Sequence, residues 1–232
     1  MRTTDMADEL FSGAAQPLPA GVRLATARHG GVTVTRVEIA REGLSRPRGR
    51  YVTLEMPSVS VLDERDAAVI EVCARELRAL LPPEGPVLVL GVGNRRITAD
   101  ALGPRTVQRI LVTMGAGAAP PVRGLRPAAV VCVDSLCSAE GQRLGRTVQF
   151  SDSGLYPAQA DHTRHLTRDT LGVPVVAAGI PTLMQAQEGA DLVVTPRALD
   201  SVIAHGAALL AGSVNRALQP RLTVQQLCWL TG

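Results

Sequence analysis

The run Ala128-Ala129-Val130-Val131-Cys132-Val133-Asp134-Ser135 decides how this chain is read. Its unbroken apolar stretch, rich in valine and closed by a carboxylate, describes a strand covered on both faces rather than one half open to water. Pro86 to Leu90, Val173 to Ala178 and Leu192 to Val194 have the same character. Between some of these runs lie segments of helical period, notably Ala101 to Met114 and Arg197 to Leu218. Short apolar strands alternating with helices predict one α/β domain, built on a mainly parallel sheet flanked by helices.

Working outward, the pattern changes on the N-terminal side. Val32 to Ile39 alternates apolar and polar residues, as a half-exposed strand does. A turn-like stretch from Gly43 to Gly49 leads to a second strand at Tyr51 to Met56, so an antiparallel pair is expected at the edge of the main sheet. Asp66 to Leu81 has helical spacing and is stopped by Pro82-Pro83. Arg146 to Phe150 is expected as an antiparallel or edge strand. Residues 1–30, rich in Gly, Ala and Pro without sustained periodicity, read as a loose leader ahead of a domain over 31–232.

Composition narrows the function. A chain of 232 residues with 46% apolar content can bury a core, yet it holds two Phe, two Tyr and one Trp, so Val, Leu, Ile and Ala must fill it. No apolar run is long enough to cross a bilayer, and Asp5, Asp8 and Glu9 stand where a signal peptide would be basic and apolar. The expectation is a cytoplasmic protein with no membrane partner. All 24 basic residues are Arg, the net charge is +3, and the charges are dispersed without aromatic interleaving, which gives no support to nucleic-acid binding. Cys73, Cys132, Cys137 and Cys228 lack metal or redox spacing and read as reduced thiols.

In an open α/β sheet, reactive groups gather where strands end at their carboxyl termini. Gly91-Val92-Gly93-Asn94 follows one such strand and leads to Asp100-Ala101-Leu102-Gly103-Pro104; Asp134 follows another; Gly179-Ile180-Pro181-Thr182 follows a third. Asp152 sits in Phe150-Ser151-Asp152-Ser153-Gly154. The dinucleotide fingerprint would need glycine at Arg96, and a phosphate-binding P-loop would need a lysine that this chain does not contain. Asn94 reads as a turn residue, Asp100 as a helix N-cap or a catalytic acid, and Asp152 as an Asx-turn residue or a catalytic acid. On position alone Asp134 is the carboxylate that best lines a crevice. Two converging carboxylates split their pKa values, and so can supply both a base for water and an acid for a peptide carbonyl. A serine mechanism finds no G-x-S-x-G, and His29, His162, His165 and His205 form no zinc motif.

These local patterns also resemble a family. Arg48 to Glu55 (RGRYVTLE) resembles the K-G-R-Y-V-T-L-E strand of the germination proteases, the endopeptidases of bacterial spores. Gly91 to Asn94 with Thr98 to Pro104 resembles G-L-G-N…T-P-D-A-L-G-P, and Val148 to Pro157 resembles I-Q-I-S-D-[ST]-G-I-H-P. Thr170 to Thr182, Val194 to Asp200 and Asn215 to Leu218 are similar to further motifs of that family, in the same order. The resemblance implies an atypical aspartic endopeptidase without metal or cofactor, acting on small acid-soluble spore proteins in the spore core or forespore. It implies Asp100 and Asp152 as the catalytic pair, with Asp134, Gly91, Gly93 and Asn94 lining the cleft. It further implies a homotetramer made as a self-processing zymogen. Arg2 to Glu9 is similar to the family's leader junction, which places the cut between Asp5 and Met6.

The chain departs from the family in three stretches and at Gln185, where the family has Asp. The stretches from Met114 to Ala128 and from Leu183 to Asp191 are shorter than their family counterparts, and a glycine-rich segment is replaced by Ala158 to His165. The resemblance extends in fold to the hydrogenase maturation proteases, whose metal-binding acid falls at Asp100. A metal-dependent processing protease, or a degenerate member acting as a binding protein, are therefore the alternatives.

Overall fold

A computed structural model of the chain describes residues 4–11, 17–62, 66–113, 126–156, 165–185 and 193–231. The shortened or altered stretches at 114–125, 157–164 and 186–192 fall outside the described residues, as do Met114, His162 and Leu192.

Among the described residues eight strands form one sheet: β1 (Val22–His29), β2 (Val32–Ile39), β3 (Gly49–Glu55), β4 (Val87–Gly91), β5 (Ala129–Cys137), β6 (Thr147–Ser151), β7 (Val175–Gln185) and β8 (Val193–Val194). The order across it is β1-β2-β3-β6-β7-β5-β4, with β8 added to β7. Only β4, β5 and β7 are mutually parallel; every other pairing is antiparallel. The expected mainly parallel sheet is thus corrected to a mixed one. The cause lies in the connections: parallel neighbours need a long crossover, and the chain returns from β5 to β6 through a short link with a single 3-10 turn at Gly141–Arg143. β6 itself is interior, between β3 and β7.

The antiparallel pair β2–β3 is present where it was expected, but it continues into β1. The end of the leader region is therefore part of the sheet. Its signal was the two-residue link Gly30-Gly31 between β1 and β2, with Gly30 at φ 59°, the glycine-rich turn that a tight hairpin demands.

Helices α1 (Ala67–Arg78), α2 (Leu102–Val107), α4 (Leu199–Leu218) and α5 (Val224–Thr231) pack against one face of the sheet; α3 (Arg168–Leu171) is a short turn leading into β7. Val52 and Leu54 of β3, Val131 and Val133 of β5, Val148 and Phe150 of β6, and Val176 and Ile180 of β7 share this core with Ile70, Leu77, Ile203 and Leu210. Helix α2 is shorter than its periodicity suggested. Asn215 of α4 accepts the Leu111 amide and donates to the Arg109 carbonyl, so the chain beyond Val107 bonds to α4 in place of extending its own helix.

The opposite face is covered differently. Ala7 and Phe11 of the N-terminal segment pack on Val37, Ile39 and Tyr51, while Leu155 and Leu166 pack on Val130, Cys132 and Val175. Successive side chains in a strand point to opposite faces, so Val131 and Val133 meet the helices whereas Val130, Cys132 and Asp134 look the other way. None of the four cysteines forms a disulfide, and burial pushes the thiols of Cys73 and Cys132 up to about 12, which keeps them unreactive.

Candidate active site

The carboxyl ends of β4, β5 and β7 converge, and three backbone features hold them together. The Val92 amide donates to the Val133 carbonyl, and the Thr182 hydroxyl donates to the Ala99 carbonyl at 2.8 Å. Gly91 lies so close to Gly103 that a Cβ on it would come within 2.3 Å of the Gly103 carbonyl oxygen. Gly93 stands at φ +116°, with any Cβ 2.1 Å from the Asp100 carbonyl oxygen, so the turn after β4 requires glycine there. Asn94 bonds within its own turn: its side-chain oxygen accepts the Arg96 amide, and its own amide donates to Asp100 Oδ2 at 2.7 Å.

Asp100 is therefore not the helix cap its position suggested. It closes a 3-10 turn over Thr98–Asp100, α2 begins after Ala101 without a side-chain cap, and the Asp100 carboxylate folds back onto the Asn94 amide. Asp134 is buried within β5, three residues before its end and not beyond it as the apolar run suggested, with Oδ1 accepting the Ser135 amide at 2.7 Å. Burial raises its carboxyl from the ordinary 3.8 to about 7; the negative charges of Asp100 and Asp5 add to the rise, against the Ser135 hydrogen bond. Asp100 thus lies near enough to Asp134 for its charge to act on that carboxyl.

Asp152 does not join them. Beyond the end of β6 it continues the parity of Val148 and Phe150, toward the helices. Its Oδ1 accepts the Arg50 amide at 2.6 Å and its Oδ2 the Arg50 Nε at 2.7 Å, while that guanidinium also reaches the Ala79 carbonyl at the end of α1. The sheet stands between it and Asp134. Strand register also separates them along the sheet: Asp134 is level with Gly179 and Gln149, three residues short of Asp152 and two strands away. At about 4.8 Å between strands and about 3.3 Å per residue this puts their backbones roughly 14 Å apart.

What the sequence did not disclose is that the N-terminal segment is bonded to these strands. The Asp5 amide donates to the Cys137 carbonyl at 2.7 Å, and the Asp5 carboxylate accepts the Cys137 amide at 2.8 Å. Gln149 donates to the Asp5 carbonyl and accepts the Ala7 amide, each at 2.8 Å. The Met6 side chain between them is completely buried. Arg46 bonds the Thr4 carbonyl and lies 3.4 Å from the Asp5 carboxylate. Further along, Glu9 accepts from the Ser138 hydroxyl and the Ala139 amide, and buried Asp8 accepts from Thr53 and from Arg143 at 2.7 Å. Asp5 to Glu9 therefore lies clamped over the ends of β5 and β6, with the Asp5 charge acting on Asp134.

Among the described residues no three His, Cys, Asp or Glu side chains gather into a cluster able to hold a metal ion, and no helix is long and apolar enough to cross a membrane.

Comparison with known proteins gives the family of the chain. The family described as germination protease matches residues 6–116 and 121–188. A germination protease of Clostridium perfringens strain SM101 is 27% identical over an alignment covering 84% of this chain and 87% of the relative. One from Bacillus velezensis is 31% identical, covering 82% of this chain and 62% of the relative. One from Caldanaerobacter subterraneus is 28% identical, covering 89% and 91%. The Clostridium alignment runs over 287 positions against a chain of 232 residues, so that relative carries residues absent here, in keeping with the shortened stretches. With the motifs in order and the family match spanning most of its length, the chain belongs to the germination protease family.

Proposed function

We propose that this chain is an endopeptidase acting on small acid-soluble spore proteins, that it cuts with a pair of aspartates, and that it first removes its own leader after Asp5. The observation that carries the reading is the buried Asp134 carboxyl, held near 7 beside Asp100, with the Asp5–Met6 peptide bond clamped over the same strand ends. The working pair in this reading is Asp100 with Asp134. Asp152, which the motif resemblance favoured, takes the role of tying β3 to the end of β6 through Arg50.

The chemistry follows from the raised carboxyl of Asp134. Below about pH 7 Asp134 keeps its proton and can donate it to a peptide carbonyl, while Asp100 takes a proton from the attacking water. The Arg46 and Cys137 groups around Asp5, and the enclosed Met6 site, would receive an acidic residue and an apolar one on either side of the cut. Homotetrameric assembly and a place in the spore core or forespore belong to the same proposal.

The test is direct. Purified protein is held at mildly acidic pH and its intact mass followed, then incubated with a small acid-soluble spore protein with and without a chelator. Loss of Met1 to Asp5 and chelator-resistant cleavage of the spore protein are expected. A chain that keeps its N-terminus and leaves the spore protein whole would refute the reading, and chelator-sensitive cleavage would point to a metal-dependent protease.

A further inference from the structure

We propose that Gln149 is a catalytic residue: its carboxamide holds the carbonyl oxygen of the peptide bond to be cut and stabilises the negative charge that develops there. The inference rests on the reading of Asp5–Met6 as a bond this site cleaves, and goes beyond the acid pair to a third group.

Three features carry it. The first is contact. Gln149 Nε2 donates to the carbonyl oxygen of Asp5, the oxygen of the Asp5–Met6 peptide bond, at 2.8 Å. The second is orientation. An amide can present either its NH2 or its oxygen, but here Oε1 accepts the Ala7 amide at 2.8 Å, which leaves the NH2 end aimed at the Asp5 carbonyl. One buried carboxamide thus grips the backbone on both sides of Met6, and the donor is in place before any reaction begins.

The third feature is placement relative to the acids. Gln149 pairs with Gly179 across β6 and β7, and Gly179 with Asp134 across β7 and β5, so all three belong to the same sheet face. Between Gln149 and Asp134, roughly 10 Å apart at the backbone, the intervening residue has no side chain. A Cβ on Gly179 would come within 2.5 Å of the Asp134 carbonyl oxygen and 2.7 Å of Leu136 Cγ, so the Leu136 side chain lies over this glycine, with Gln149 and Asp134 on either side of it in the register.

The step balances without any further reagent. Asp100 takes a proton from water as the water oxygen bonds to the Asp5 carbonyl carbon. The C=O π electrons move onto the oxygen, where the Gln149 N–H and the Asp134 proton meet the charge. When that electron pair returns, the C–N bond to Met6 breaks and the Met6 nitrogen takes a proton from the acid pair. The products are the carboxyl of Asp5 and the amine of Met6, and the aspartates return to one shared proton.

A donor used in this way loses turnover when removed, whereas a mere anchor for the leader loses binding. The experiment compares wild type, Gln149→Ala and the near-isosteric Gln149→Glu. It reads leader release by intact mass, and kcat and KM on a peptide carrying the Thr4–Leu10 sequence, with thermal unfolding as the check on folding. Gln149→Ala should lower kcat by about 10²–10³-fold, the usual effect of deleting one such donor. Gln149→Glu should be inactive near neutrality, where it places an anion at the carbonyl. It should regain rate as the pH falls through about 4.3 and the side chain becomes a donor again. A folded Gln149→Ala with unchanged kcat and a raised KM, or a Gln149→Glu variant with the wild-type pH profile, would overturn the inference while leaving the proposed function standing. Wild type that cuts neither leader nor peptide would overturn the function, and this inference with it.

Discussion

Replacing Asp134 by asparagine should separate the cost of burying this carboxyl from its use. Its pKa rises from 3.8 to about 7 on folding. Below about pH 3 the group is protonated in the folded and unfolded chain alike, and its burial carries no ionisation cost. Between these values the unfolded chain releases the proton while the folded chain retains it, so stability is lost as the pH rises and the full loss stands above pH 7. At about 1.4 kcal/mol per pKa unit, that loss is on the order of 4 kcal/mol. Asparagine cannot ionise, yet it keeps an oxygen to accept the Ser135 amide. Urea unfolding of wild type and Asp134→Asn at pH 4.5 and pH 8 gives a double difference in which other titrating groups cancel. The variant should gain on wild type by about 3 kcal/mol between the two pH values, because about 1 kcal/mol of the loss has already occurred by pH 4.5. A difference that stays constant with pH would refute the reasoning, because it would mean that Asp134 ionises in the folded chain as readily as in the unfolded one.

Other consequences are open to simple assays. Arg143 bridges Asp8, Glu140 and Glu55 at 2.7, 3.0 and 3.1 Å, and Asp8 is 1% exposed. Arg143→Ala should therefore cost about 3–5 kcal/mol by leaving that charge buried and unpaired, and should speed limited proteolysis of the N-terminal segment; a loss no larger than that of an exposed ion pair would contradict it. Gly179→Ala should destabilise by about 1–3 kcal/mol, since its Cβ must displace the Asp134 carbonyl; denaturant unfolding at wild-type stability would contradict the strand spacing at that point. Cleavage should weaken as the pH rises through 7 and Asp134 loses its proton; a rate unchanged to pH 9 would exclude Asp134 as the acid.

Much of this fold is legible from period and punctuation. Valine runs mark β4, β5 and β7, alternation marks β2, and the helical stripe from Arg197 marks α4. What escapes reading depends on partners far along the chain. Asn215 ends the segment after α2 from 104 residues away, and no local signal at Leu111 announces it. The strand β1 did carry a signal, the Gly30-Gly31 turn, obscured by the glycine- and alanine-rich composition around it. Within the site, Asp134 is visible as an acid at the end of an apolar run. Asp152 is harder: its motif suggests catalysis, and only parity from Val148 and Phe150 turns it toward the helices and Arg50. Parity becomes informative once the cleft's face is known, and that follows from the docking of Asp5 to Glu9. Gln149 carries no signal of its own in the strand; its role emerges where the leader lies beside it.

The central claim is that the acids at work are Asp100 and Asp134, on one side of the sheet, and that Asp152 on the other side serves structure. The measurement is the rate of leader release and of spore-protein cleavage by Asp100→Asn, Asp134→Asn and Asp152→Asn, each first shown to be folded. Asp100→Asn and Asp134→Asn should each lose about 10²–10⁴-fold, as removal of a general acid or base does. Asp152→Asn, which weakens only a partly exposed pair with Arg50, should stay within severalfold of wild type. An Asp134→Asn protein that cuts normally, or an Asp152→Asn protein as inert as Asp100→Asn, would contradict the account.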